Sequence, residues 1–190
     1  MNREAWLHAL ATRLTDDFVN VGQVVPAKLA IGVGFPSSGG TSQLRQRIGE
    51  CWNGDASEDG TFQIFISPVI SDSVGAGDVV VHEMCHAVLP KGTKHNRRFA
   101  ALTKDLGLDG KPTATFASPR LTVRLNALIA ELGPYPHSKL SLTPRLSRQT
   151  TRLLKVLCDG CGYTVRVTRQ WLDKGAPICP TCGVEMEEAS

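Results

Sequence analysis

The sequence predicts an α+β fold: a helical domain whose small β-sheet packs on one central helix, followed by a small four-cysteine module. Three observations predict it. Apolar stripes with three- and four-residue spacing alternate with short β-branched and aromatic runs. One apolar helix carries two histidines and a glutamate, in the run His82-Glu83-Met84-Cys85-His86. Near the end of the chain stand two Cys-x-x-Cys pairs.

The elements follow in order. Residues 2–18 read as a helix because Trp6, Leu7, Leu10, Leu14 and Phe18 recur on one face. Residues 27–35 read as a strand with Leu29, Ile31 and Val33 on one side, and 36–41 as a Ser/Gly-rich loop. Residues 48–59 read as irregular and polar, with Cys51 and Trp52 their apolar members. Phe62–Ile66 is a short strand ended by Ser67-Pro68. A helix over 76–89 carries the histidines, with Asp78 as a cap in its first turn, and residues 90–94 break it. The next helix has Asn96 as N-cap, a stripe of Phe99, Leu102 and Leu106, and Gly107 as a left-handed stop. Leu121, Leu125, Leu128 and Leu132 mark a helix over 120–132. The domain organisation expected is 1–137 as the first domain, 138–152 as a polar, basic linker, and 153–190 as the four-cysteine module.

Composition narrows the classes of function. With 42% hydrophobic and 21% charged residues the chain is an ordinary globular one, and no apolar run is long enough to span a bilayer. Met1 to Trp6 leads into an amphipathic pattern, not an apolar signal core, so a cytoplasmic location is expected. The net charge of +3 hides an asymmetry. Residues 1–90 hold 5 Lys/Arg and 10 Asp/Glu, whereas 91–190 hold 16 and 8. The basic C-terminal half suggests a polyanionic partner, DNA among them.

On a helix, His82 and His86 are four apart and share a face, so both imidazoles can reach one metal ion. Glu83 is rotated from them by about 100° and can accept a proton from a water bound at the metal's open position. The surrounding valines, Val79 to Val81, bury this helix, where polar side chains need partners. A catalytic zinc takes three protein ligands. His95, just past the break at Pro90 and Gly92, is the best third, and Glu131 is its competitor. The pairs Cys158/Cys161 and Cys179/Cys182 match a zinc ribbon with one closed, structural site. Each pair is followed by a glycine, Gly162 and Gly183. Cys51 and Cys85 read as small buried apolar residues.

These motifs together resemble the SprT-like zinc metallopeptidases: an H-E-x-x-H helix, a third histidine opening the next helix in His95-Asn96-Arg97-Arg98-Phe99, and a C-terminal four-cysteine ribbon. The chain is most similar to metallopeptidases of this type encoded by tailed bacteriophages, through Gly49-Glu50-Cys51-Trp52, Phe65-Ile66-Ser67-Pro68 and Cys158 to Tyr163. The resemblance implies a zincin-like fold, action on DNA-associated proteins and, for a phage protein, the cytoplasm of the host cell.

The function expected is therefore a zinc-dependent peptidase with two zinc ions, one catalytic and one structural. His82, His86 and His95 hold the first, and Glu83 is the general base for a zinc-bound water. Tyr135 and His137 are candidates for oxyanion stabilisation on chemistry alone. The strand Phe62–Ile66 is the expected sheet edge for an extended peptide. The alternative is a nucleic-acid-binding protein with two structural zinc sites and no proteolysis.

Overall fold

Helix α2, Ser73–Val88, is the axis of the first of two compact units, Met1–Leu142 and Thr143–Ser190. The computed structural model describes residues 1–42, 46–142 and 153–189. The architecture is α+β. Most of the expected linker, 143–152, lies outside the described residues. Its first residues lie against unit one, where Leu140 N donates to Pro68 O at 2.8 Å.

Asp72 starts α2 by accepting from Gly75 N at 2.5 Å. This corrects the expected start at 76, and Asp78 is an interior helix residue, not the cap. The early start was hidden by Gly75, a poor helix former. Gly77 has a packing reason: a Cβ there would lie 2.9 Å from Leu125 Cδ2. Helix α4, Pro119–Leu132, therefore sits close against α2, after Ser118 caps it and Pro119 opens its first turn. Helix α1, Arg3–Asn20, buries Trp6, Leu7, Leu10, Leu14 and Phe18 in the same core, as their spacing predicts. Burying one such side chain stabilises by roughly 1.5–3 kcal/mol.

A three-stranded sheet covers another side of α2. Its strands are β1 Leu29–Val33, β2 Gly49–Trp52 and β3 Phe62–Ile66, in the order β1-β3-β2. Strand β1 runs parallel to β3, and β2 runs antiparallel to it. Two expectations are corrected here. Phe62–Ile66 is the central strand, paired on both sides, because its apolar residues are needed between the two others. The segment 48–59 contains an edge strand, β2, which its short mixed sequence concealed.

Helix α3, Arg97–Asp105, follows the break after α2. Asn96 caps it, accepting from Arg98 N and Phe99 N, and Gly107 stands beyond it at φ +89. A hairpin absent from the sequence reading comes next, β4 Leu108–Lys111 with β5 Ala114–Ala117. No helix among the described residues is long and apolar enough to cross a membrane.

The second unit holds β6 Leu154–Leu157, β7 Thr164–Val167, a one-turn helix α5 Arg169–Leu172, and β8 Glu187–Glu188. Its strands pair antiparallel in the order β7-β6-β8 around a core of Val156, Cys158, Cys179 and Met186.

Candidate metal centre and cleft

Three imidazoles converge at the floor of a cleft of about 660 Å³ in the first unit. His82 and His86 come from successive turns of α2. His95 arrives through a tight turn in which Thr93 N and Oγ1 both bond Pro90 O, at 3.1 and 2.6 Å. Gly92 and Lys94 take positive φ, 84 and 48. Lys94 is the only non-glycine residue so placed among those described, in the position before His95. Phe99, one turn into α3, stacks on the His86 ring at 4.3 Å and meets His82 and His95 edge-on. The phenyl ring thus backs all three imidazoles.

His95 Nε2 lies 3.3 Å from His82 Nε2 and 3.2 Å from His86 Nε2. Zinc–nitrogen bonds of about 2.0–2.1 Å in a tetrahedral site put ligand atoms ~3.3–3.4 Å apart. The spacing fits one ion. Burial, then the charges of His86 and His95, lowers His82 from 6.5 to about 3. Burial likewise lowers His86 to about 4, and lowers His95. The rings are therefore neutral at pH 7, the form in which imidazole ligates. His82 Nδ1 is 2.7 Å from Thr115 Oγ1 on β5. Donation from Nδ1 to this hydroxyl leaves the Nε2 lone pair facing the other two rings.

Glu83 lines the same cleft and is 6% exposed. Burial raises its carboxyl from 4.5 to about 8, opposed by the charge of Arg47 and reinforced by Glu50. Gly49 on β2 makes room for it: a Cβ there would clash with Glu83 Oε1 and lie 2.6 Å from Val79 Cγ1. Asp78, one turn before His82, also faces the cleft and accepts from Ala117 N at 3.4 Å. Burial raises the Cys51 thiol to about 12 and raises Cys85 as well, so neither is a thiolate.

Other sequence candidates lie elsewhere. Glu131 is on the surface of α4, paired with Arg13 at 3.3 Å. Tyr135 packs its ring 4.9 Å from that of Trp6, and His137 Nε2 lies 2.9 Å from Pro68 O. Neither Tyr135 nor His137 lines the cleft. Their nomination rested on residue type, which carries no position. The sequence reading missed Thr115, Gly49 and Arg47 as site residues. Only tertiary contacts bring them to the histidines.

In the second unit, Cys158, Cys161, Cys179 and Cys182 bring their sulfurs within 4.8 Å of one another. Two equivalent turns do this. Gly162 N donates to Cys158 O at 2.7 Å and Gly183 N to Cys179 O at 2.8 Å. Both glycines have positive φ, 74 and 70, which the turn requires. Cys182 N points at Cys179 Sγ, 3.4 Å away. Burial raises the Cys179 thiol, but the amides of Cys182 and Thr181 and neighbouring thiols outweigh it, leaving about 7. Four thiols at this spacing could hold a metal ion such as zinc with every position filled.

No family model, curated protein or solved structure matches this chain.

Proposed function

We propose that the protein is a zinc-dependent peptidase of the SprT-like, zincin-like type, with a structural zinc ribbon at its C-terminal end. The observation that carries this reading is the three-histidine cluster with one side open to a large cleft, beside a buried glutamate. A structural zinc site fills all its positions with protein ligands, as the four cysteines would; three imidazoles leave one open. His82, His86 and His95 would hold the ion. Bound there, zinc supplies Lewis acidity, lowering the pKa of water and polarising a carbonyl.

The chain's own residues account for the rest. Glu83, next to His82 on α2, takes the proton of the attacking water and passes it to the leaving amine. Burial is what raises its carboxyl, and a cation held by the neighbouring histidines would favour the ionised form that accepts the proton. Strand β2 supplies the rail for an extended peptide, in place of β3. Ile48 O accepts from Ser67 N, so by alternation Gly49 and Cys51 turn their backbone groups to the free edge, where both line the cleft.

The test is metal analysis beside peptide and protein cleavage, on the parent and on Glu83→Gln. The expected result is two zincs per chain in both and cleavage in the parent alone. Cleavage by Glu83→Gln at the parent rate would remove the general-base role, and two zincs per chain without cleavage by the parent would favour the nucleic-acid-binding alternative.

DNA-associated proteins are the proposed substrates. The charge distribution favours the first unit over the ribbon as the DNA contact. Residues 91–142 hold 9 Lys/Arg against 3 Asp/Glu, whereas 153–190 hold 4 against 5. Arg97 and Arg98 are exposed at the start of α3, next to the His95 turn. Salt-sensitive DNA binding by Glu83→Gln, weakened by changing Arg97 and Arg98 together, is the expected outcome in a fluorescence titration.

A further inference from the structure

We infer that Arg47 is the catalytic residue that stabilises the oxyanion formed when a peptide carbonyl is attacked in this cleft. The inference rests on the peptidase reading above. When the water oxygen adds to the carbonyl carbon, the π bond opens and its electron pair moves to oxygen. A second donor beside that oxygen lowers the barrier. Tyr135 and His137 are outside the cleft, so the donor must come from its walls.

Among the described residues, three cationic side chains line the cleft: Arg47, Lys91 and Lys94. Lys91 is ion-paired with Asp55, and Lys94 stands exposed on the turn before His95. Arg47 leads into β2, the wall facing α2, two residues before the Gly49 that abuts Glu83. Its backbone N donates to Gly39 O at 3.1 Å. Its Nη1 donates to Ser38 Oγ at 3.0 Å and to Glu50 Oε1 at 3.3 Å. Nε and Nη2 have no partner among the described residues, so three N–H donors on two nitrogens remain for a ligand. Arg47 lines the same cleft as Glu83, His86 and His95.

Glu50 is the positioning residue. It is 8% exposed and accepts from Ser37 N at 2.8 Å, Ser37 Oγ at 2.7 Å and Trp52 Nε1 at 3.0 Å. Burial raises its pKa, but the bonds from Ser37 and Trp52 and the charge of Arg47 outweigh it, and the carboxylate stays ionised. Three donors other than Arg47 already satisfy Glu50. The Arg47 side chain is 50% exposed, and an ion pair so wet contributes little to stability. Stability therefore does not explain an arginine at this place.

The experiment is steady-state kinetics on a fluorogenic peptide for the parent, Arg47→Ala and Arg47→Lys, with zinc content and circular dichroism measured on each. Arg47→Ala is expected to lower kcat about 100-fold with KM little changed, and methylguanidine to restore part of the loss. Arg47→Lys should lie between. If Arg47→Ala loses its fold, Arg47→Gln, which keeps an amide donor for Ser38 and Glu50, carries the same expectation. A raised KM at unchanged kcat would make Arg47 a ground-state binder of a substrate carboxylate and overturn the inference. A loss of kcat that tracks lost zinc, or lost structure in every variant, would overturn it too. A parent that does not cleave ends the peptidase reading itself, and Arg47's role with it, before any Arg47 variant is needed.

Discussion

Thr115 holds the His82 ring through one hydrogen bond of 2.7 Å, and the hairpin that carries it has no other part in the histidine cluster. Removing such a partner frees the ring and its tautomer. Thr115→Ala is expected to weaken zinc binding ~10–100-fold in competition with a chelator, with Thr115→Ser near the parent. Asp78 gives a pH signature at the same scale. Burial raises its carboxyl from 3.8 to about 6, partly opposed by the bond from Ala117 N. A folded value above the unfolded one favours the fold when the acid is protonated. That contribution is full below 3.8 and is lost as pH rises through about 6. In metal-free protein, the urea midpoint of the parent should therefore fall relative to Asp78→Asn across that window and hold a constant offset above it. An offset independent of pH would mean that Asp78 is solvated.

At the scale of elements, α2 and α3 are legible in sequence for different reasons. The H-E-x-x-H spacing works because it sits on a helix, and the valines that bury that helix also mark it. Asn96 marks the start of α3 because its side chain has local donors to accept from, Arg98 N and Phe99 N. The cap also fixes His95, its chain neighbour, below the left-handed Lys94. Asn96→Ala should cost about 1 kcal/mol of stability by thermal denaturation and should weaken zinc binding as well. Strand β2 was illegible because Gly49, Glu50, Cys51 and Trp52 each serve something other than strand periodicity. Gly49 clears space for Glu83, Glu50 anchors the preceding loop and Arg47, Cys51 packs under the helix, and Trp52 bonds Glu50. The β4–β5 hairpin was missed because four-residue strands bearing Asp109, Gly110 and Lys111 carry no alternation to read.

At the scale of the molecule, two compact units bury separate cores. The second has four buried apolar residues at its centre, two of them cysteines. So small a core depends on its metal. Cys158→Ser is expected to abolish the folded spectrum of the second unit, seen as lost amide dispersion for residues 153–189, while the first unit still cleaves a short peptide. Concurrent loss of both would show that the units fold as one.

What the sequence determined by itself was every feature carried by local spacing. His82 and His86 share a face because a helix has its period, the cysteine pairs turn at Gly162 and Gly183, and Asn96 and Gly107 bound a helix through their own backbone preferences. Tertiary structure alone decided which side chains surround the histidines. Thr115, Gly49 and Arg47 reach the cleft from a hairpin and an edge strand that are distant in sequence from one another or from α2, and Tyr135 and His137 are carried away from it. Residue type sets what a group can do, but long-range packing sets where it stands, and one chain read in order does not contain that distance.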